Sequence, residues 1–315
     1  MKTTINFIPH SRPQYAQSFY NEITSISDNV KRNININLLI SDSNSRNWKS
    51  DKDFLSKHGI ETNVFLVQGG DYITKIKTAF NNSGEYIVKL DEDIFLSSKL
   101  WEFFLTNLIV LEDRKNLFLS PLLSTGIPSV DYFAEQFLTA DERQELNTIY
   151  LQTPLPNIWG ADYSSLEQHT IKSTAWNHNE FYNAVSKINH FYKGVHPVRF
   201  SPKAQRFIQK CVIKRFDKII EADNFTLHID KKPYLCNSIF GIKKDTWGEI
   251  INNKSLYRDP FDEVPFNLYM QQNDLNMVFI NNGFGIHPSY NTVNMFGDNY
   301  QHISDEFFNN EYFKR

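Results

Sequence analysis

The chain is predicted to adopt an α/β fold, with a mostly parallel central sheet flanked by helices and an irregular, partly helical insertion. Three observations predict this. Short apolar runs alternate with segments of helical period from Thr3 to Leu123, joined by short connections, which is the pattern of a parallel sheet with helices packed on it. One of those strands runs straight into an acidic triplet, Asp91, Glu92 and Asp93. From Ser124 the pattern changes: residues 126–200 are irregular, a clear helix follows from Pro202, and strand-like runs return only near residue 234.

The first strand is Thr3 to Ile8, ended by Pro9. A helix opens at Ser11 or Arg12 with Pro13 in its first turn; Ala16, Phe19, Tyr20, Ile23 and Ile26 mark one face at helical spacing. Asn35 to Ile40 is a second strand, followed by Ser41 to Ser45, residues that bond their own backbone and favour loops. Asp53 to His58 reads as a helical turn closed by Gly59, and Asn63 to Val67 as a third strand. After Gly69 and Gly70 comes a helix carrying Ile73, Ile76 and Phe80, closed by Gly84, and then the strand Glu85 to Leu90. A long apolar helix is predicted over Ser98 to Leu111 and a strand over Asn116 to Leu123.

Residues 126–200 show scattered prolines and no regular period apart from a helix over Asp141 to Leu151, as expected of a substrate-facing insertion on a rigid scaffold. One continuous helix follows from Pro202 to Ile220, with Ala204, Phe207, Ile208, Cys211, Val212, Phe216, Ile219 and Ile220 as its apolar stripe. Arg206, Lys210, Lys214 and Lys218 recur every fourth residue on its other side. Between Lys187 and Lys218 there are nine Lys or Arg and one acid, Asp217, a surface that suits a polyanion or is simply a solvated helix face. Strands over residues 234–242 and Leu275 to Ile280, helices over Asp245 to Ile250 and 259–272, and a bend at Gly283 and Gly285 complete the reading. The resulting division is 1–125, 126–230, 231–297 and a closing segment 298–315.

The 15% aromatic content, with 26 Phe and 15 Tyr, argues against a disordered chain. Cys211 and Cys236 are too few for a disulfide framework or a four-cysteine zinc site, and free buried thiols are expected. Met1 to Asn6 is polar, and no apolar run reaches the roughly 18 residues of a membrane span, so a cytoplasmic protein without a transmembrane segment is expected. No Walker loop, Rossmann glycine pattern, HExxH helix or CxxC pair points to another cofactor.

Three carboxylates at a strand end are costly to hold together unless a positive charge sits among them. On a strand, residues i and i+2 share a side, so Asp91 and Asp93 would face one point and Glu92 would turn away. That point suits a divalent cation with oxygen ligands, itself gripping a phosphate; an acidic turn closing the strand is the plainer alternative. Asp42 and the 91–93 triplet both follow strands, and ligands of parallel sheets gather at the carboxyl ends of strands.

With these residues in view, the order of elements resembles nucleotide-sugar glycosyltransferases of the GT-A fold, most like the family 2 type, over roughly residues 3–123 and 234–290. The resemblance implies a nucleoside-diphosphate sugar as donor and Mn²⁺ or Mg²⁺ held by Asp91 and Asp93, with His287 completing the metal site. It places Asp42 near the nucleobase, and makes Glu263 or Asp262 the base that would take the acceptor's proton if the reaction inverts configuration. The altered loop Pro9-His10-Ser11-Arg12-Pro13 would bring His10 and Arg12 to the donor, and Lys75 or Lys77 could reach it from the third helix. Trp159, Trp176 and Tyr163 could stack on a sugar or base ring, and Asp162 is a further candidate base.

An anionic acceptor, either a glycan such as a lipopolysaccharide core or double-stranded DNA, fits the basic helix. The DNA reading follows from the Asn- and Phe-rich composition, which is like that of proteins from large bacterial viruses that glycosylate hydroxymethylated cytosine. The cell would then be bacterial or virus-infected. A nucleotidyltransferase is the nearest enzyme alternative, although Pro9 to Pro13 lacks the glycine-rich loop such enzymes use. A non-catalytic sugar- or nucleic-acid-binding protein is the alternative of a different class.

Overall fold

A computed structural model of the chain describes residues 2–9, 13–41, 48–67, 72–124, 129–152, 202–230, 238–256, 264–287 and 306–314. The chain divides into two compact units. The first comprises Met1–Pro121, Asp223–Lys231 and Leu235–Gly283; the second comprises Leu122–Ala222, Lys232–Tyr234 and Phe284–Arg315.

An eight-stranded mixed, mostly parallel sheet organises the first unit. Its strands are β1 (Thr3–Ile8), β2 (Ile34–Ser41), β3 (Glu61–Val67), β4 (Tyr86–Asp91), β5 (Asn116–Leu123), β6 (Thr226–Asp230), β7 (Ile239–Lys243) and β8 (Asn276–Gly285). Their order across the sheet is β3-β2-β1-β4-β7-β5-β8-β6. β3, β2, β1 and β4 are mutually parallel, in the registers Asn35↔Glu61, Thr3↔Ile34 and Thr3↔Tyr86. β7 is antiparallel to both β4 and β5, so β5 runs in the direction of β4. The expected mostly parallel sheet is therefore present, with a late strand inserted into it.

Helices α1 (Pro13–Ser25), α2 (Asp28–Lys31), α3 (Trp48–Lys57), α4 (Tyr72–Asn81) and α5 (Ser98–Thr106) follow in chain order. On one face of the sheet Phe7 of β1 packs on Phe19 and Tyr20 of α1, at ring separations of 4.7 and 5.9 Å, and Phe19 lies 5.5 Å from Trp101 of α5. The residues expected to form the α1 stripe are all buried, because the 3.6-residue period lays them on the sheet. Buried Glu22 of α1 accepts a hydrogen bond from the Ser98 N–H at 2.6 Å, satisfying the first turn of α5.

The other face carries a polar ladder. Thr4, Asn35, Asn6 and Asn37 are all buried there. Thr4 donates to Asn35 at 2.8 Å, and Asn37 donates to the side-chain oxygen of Asn6 at 2.9 Å and to the Asn82 carbonyl at 3.1 Å. Asn6 donates to Ser83 at 3.1 Å and Asn63 to Asn37 at 3.3 Å. The ladder ties β1, β2 and β3 in one register and anchors the end of α4 to them, because a one-residue slip would strand every amide. Further along this face Phe240 of β7 stacks on Trp247 of the helix Lys244–Asn252 (α10) and packs at a tilt against Phe266 of the helix Val264–Gln272 (α11).

Several boundaries differ from the sequence reading. The helix expected over 98–111 stops at Thr106 and continues as a 3₁₀ segment, Asn107–Glu112; at the junction the Asn107 side chain and its backbone N–H both donate to the Phe103 carbonyl, the side chain at 2.8 Å. α3 begins at Trp48 rather than Asp53. Gly59, at φ 79°, closes it as expected. β6 carries no readable signal, since this edge strand is largely exposed and Ile229 is 54% accessible. Gly283 and Gly285 do not bend the chain after residue 280: both lie within β8, and a Cβ on Gly283 would come within 2.7 Å of Leu100 and 2.9 Å of Phe225.

In the second unit α6 (Ser129–Phe137) replaces part of the expected irregular segment, and α7 (Ala140–Gln152) matches the predicted helix. The single helix expected over 202–220 is two, α8 (Pro202–Lys214) and α9 (Phe216–Ile220), because Arg215 leaves helical geometry with φ −116° and ψ 18°. Phe216 is surrounded by Phe307, Tyr312 and Phe313 at 5.4–5.5 Å. Thr139 and Glu142 form a capping box at the start of α7, and Glu142 also binds Lys214 at 3.2 Å and, more closely, Arg215. Burial pushes the Glu142 carboxyl up, but the Thr139 N–H, Lys214 and Arg215 outweigh it and hold the group at about 2. Cys211 is a free, buried thiol pushed up to about 11 by burial.

Two expectations follow. Asn37→Leu would leave the Asn6 oxygen, the Asn82 carbonyl and the Asn63 amide without this partner; urea unfolding should show a loss of about 1–3 kcal/mol, the cost of stranding a buried polar group. Glu142 is depressed in the folded state, so its stabilisation is complete above its unfolded value of 4.5 and vanishes as pH falls towards about 2. Glu142→Gln should accordingly lower stability at pH 7 and flatten its pH dependence between those values, read from urea melts across that range.

Candidate active site at the carboxyl edge of the sheet

β4 is the strand that sets the site. Ile87, Val88 and Leu90 are fully buried, and hydrogen-bonded neighbours flank the strand on both sides. Asp91 ends it, opposite Ile8 of β1 in register, with its N–H donating to the Ser238 carbonyl at 2.9 Å. Residues 92 and 93 form a turn, so the two-residue strand period no longer governs Asp93. Even so, Glu92 is buried while Asp91 and Asp93 remain partly exposed. Ile94, Phe95 and Leu96 are each at most 2% accessible and pin the chain that follows. The acidic turn is thus held at both ends by buried hydrophobic residues.

One residue of this site was not among the candidates. Lys89 lies on β4 two residues before Asp91, on the same side of the strand, and its side chain is only 2% accessible. Its ammonium is 2.7 Å from Asp91 Oδ2. A buried charge persists only when paired and hydrogen-bonded, so Lys89 and Asp91 form one electrostatic unit at the strand end. The available signal was a lysine inside an otherwise apolar central strand.

β1, β2 and β3 end on the same edge, at Ile8, Ser41 and Val67. His10, Arg12 and Asp42, which follow β1 and β2 in sequence, lie outside the described residues, as do Trp159, Asp162, Tyr163, Trp176, Asp262 and Glu263. Lys75 on α4 is partly buried and Lys77 exposed. His287 belongs to the second unit, where it is buried; its carbonyl accepts from Gln209 at 2.5 Å and its N–H faces Ser124 Oγ at 3.5 Å. On α8, Lys210 is exposed and Arg206 partly buried. Lys214 is bound to Glu142, and Lys218 sits 5.5 Å from the Phe137 ring.

Among the described residues no three His, Cys, Asp or Glu side chains converge on a metal position. What the acidic turn offers is a pair of partly exposed carboxylates, oxygen donors of the kind a hard divalent cation takes, in a number that leaves room for phosphate and water oxygens. Among the described residues no helix is long and apolar enough to cross a membrane.

No protein-family model matches the chain, and no curated protein sequence is similar to it. Solved structures share parts of its fold at low similarity. A Desulfovibrio desulfuricans G20 protein described as a nucleotide-diphospho-sugar transferase is 14% identical, over 40% of this chain and 61% of its own length, with a TM-score of 0.28. The mannosyltransferase PcManGT from Pyrobaculum calidifontis, solved with GDP-Man and Mn²⁺, is 10% identical over 69% of this chain and 75% of that one, with a TM-score of 0.36. Residues 1–349 of S. aureus TarS are 11% identical over 69% and 72%, with a TM-score of 0.34. At these scores the likenesses carry no inference about activity.

Proposed function

We propose that this protein is a cation-assisted glycosyltransferase that moves a sugar from a nucleoside-diphosphate donor to a hydroxyl acceptor. The observation that carries this reading is the pair of partly exposed carboxylates, Asp91 and Asp93, on the edge of the sheet where β1, β2 and β3 also end. Ligands of such sheets sit outside the carboxyl ends of the strands. Asp91 and Asp93 would hold Mn²⁺ or Mg²⁺; His287, expected to complete the metal site, is left out of this set, since among the described residues no three such side chains converge. A bound cation would supply positive charge against the departing diphosphate.

The chain's own residues do the rest. His10, Arg12, Asp42 and Lys75 are assigned to the donor nucleotide, and Glu263 or Asp262 to removal of the acceptor hydroxyl's proton, as inversion at the anomeric carbon requires. Trp159 and Trp176 are assigned to the acceptor. Arg206, Lys210, Lys214 and Lys218 would draw an anionic one. Because Lys214 already pairs with Glu142, the charge left on α8 suits an anionic saccharide better than a DNA duplex, whose affinity rests on many phosphate contacts.

Thermal denaturation with UDP-, GDP- and CMP-linked ligands, with and without Mn²⁺, tests the donor site. A metal-dependent rise in Tm that Asp93→Ala removes is the expected result. Indifference to every nucleotide defeats the transferase reading, and a nucleotide response without sugar transfer defeats its catalytic part. For the acceptor, salt-sensitive duplex binding that a Lys210→Glu variant weakens would restore DNA over a saccharide.

A further inference from the structure

We propose that a cavity at the amino edge of the sheet, where β1, β2 and β3 begin, is a binding site for a small phosphate-bearing anion. β1 starts at Thr3, β2 at Ile34 and β3 at Glu61, and the three are paired in register there. Residues beside these starts, with the ends of α2 and α3, line a cavity of about 270 Å³. It is separate from the acidic edge: strands of six to eight residues put roughly 20 Å between the two.

Three cations line the cavity, Lys2 before β1 and Lys31 and Arg32 at the end of α2, against one carboxylate, Glu61. Their bonding leaves donors to spare, since an ammonium has three N–H groups and a guanidinium five. Lys31 spends one on Asp28 at 2.8 Å and one on the Thr24 carbonyl at 3.2 Å, contacts that hold its side chain at 16% accessibility. Lys2 spends one on Glu61 at 3.3 Å, in an exposed bridge of little strength that a ligand could displace. The Arg32 guanidinium makes no hydrogen bond or ion pair among the described residues. At Gly59, another lining residue, an added Cβ would meet no atom within 4 Å, so the glycine leaves the space open.

A neighbouring acid already feels the positive potential. Asp28 is largely exposed, yet the hydrogen bond and charge of Lys31, and then the charge of Arg32, hold its carboxyl below the ordinary value. Size and donor count select the ligand. Drug-sized molecules take roughly 300–1,000 Å³, so this cavity suits something smaller, an orthophosphate, a pyrophosphate or a compact phosphate monoester. Arg and Lys bind phosphate oxygens through short charge-assisted bonds, and a guanidinium grips two at once. A carboxylate, with one charge and two oxygens, would satisfy fewer of these donors.

Isothermal titration calorimetry of the full chain with inorganic phosphate and with pyrophosphate, at fixed ionic strength and with acetate as control, tests the site. Saturable uptake of one anion per chain is expected, with acetate bound far more weakly. Arg32→Glu should weaken the binding by roughly tenfold or more, and Glu61→Gln should tighten it by roughly threefold, as reversal of a cation and removal of a carboxylate. Both residues are exposed, so the variants should fold; Arg32→Gln gives the same sign without reversing the charge. Wild-type protein that takes up neither probe overturns the assignment, and acetate bound as tightly as phosphate overturns the ligand class. An Arg32→Glu protein that binds as wild type does, or a Glu61→Gln protein that binds no tighter, overturns it equally. Binding that Arg32→Glu spares and Lys210→Glu weakens belongs to α8 instead.

Discussion

A central strand buried on every side cannot leave a charge unanswered, and that constraint governs this protein's candidate site. β4 has β1 on one edge and β7 on the other. Water does not reach Lys89, so the only way to retain its charge is a counter-ion supplied from within the fold. Asp91 is that counter-ion, and it stands where the strand meets solvent. The ion pair to Lys89 thus ties the first acid of the triplet to the interior of the sheet.

A similar economy holds the neighbouring strands. The amide ladder from Thr4 to Asn63 spends the hydrogen-bonding capacity of buried asparagines on register, and in doing so fixes where β1 and β2 end. The abundance of asparagine in the chain, which by composition alone could be mere bias, has a structural use at these positions. In the second unit Glu142 plays the corresponding part, joining the start of α7 to the end of α8 and to Arg215.

How much of this could be read from the residues depended on whether a local pattern had a local cause. β1 to β5, α1 and α4 were legible because their apolar residues repeat at the period of the element they form. The position of Asp91 at a strand end was legible for the same reason. β6 was not, because a short edge strand with both sides largely exposed has no alternation to display. The interruption at Arg215 was hidden as well: it accompanies an ion pair to Glu142, a residue far away in the chain. Lys89 was not legible as a site residue, since a lysine is ordinarily solvated and only the placement of β7 beside β4 shows that this one is enclosed. Of the residues assigned to the donor and to proton transfer, most lie outside the described residues, so their convergence rests on the resemblance alone.

The late insertion of β7 has a consequence for how the protein is made. A ribosome delivers β4 and β5 well before β7, with roughly a hundred residues of other chain emerging in between. At ordinary elongation rates this interval is of order ten seconds. Throughout it the growing polypeptide carries unpaired strand margins on one side of β4 and on both sides of β5, each a template for mispairing with other chains. Nascent copies crowded on one message would be the most exposed to that hazard, and holdase chaperones during translation should matter more to the yield of this protein than its finished stability would suggest.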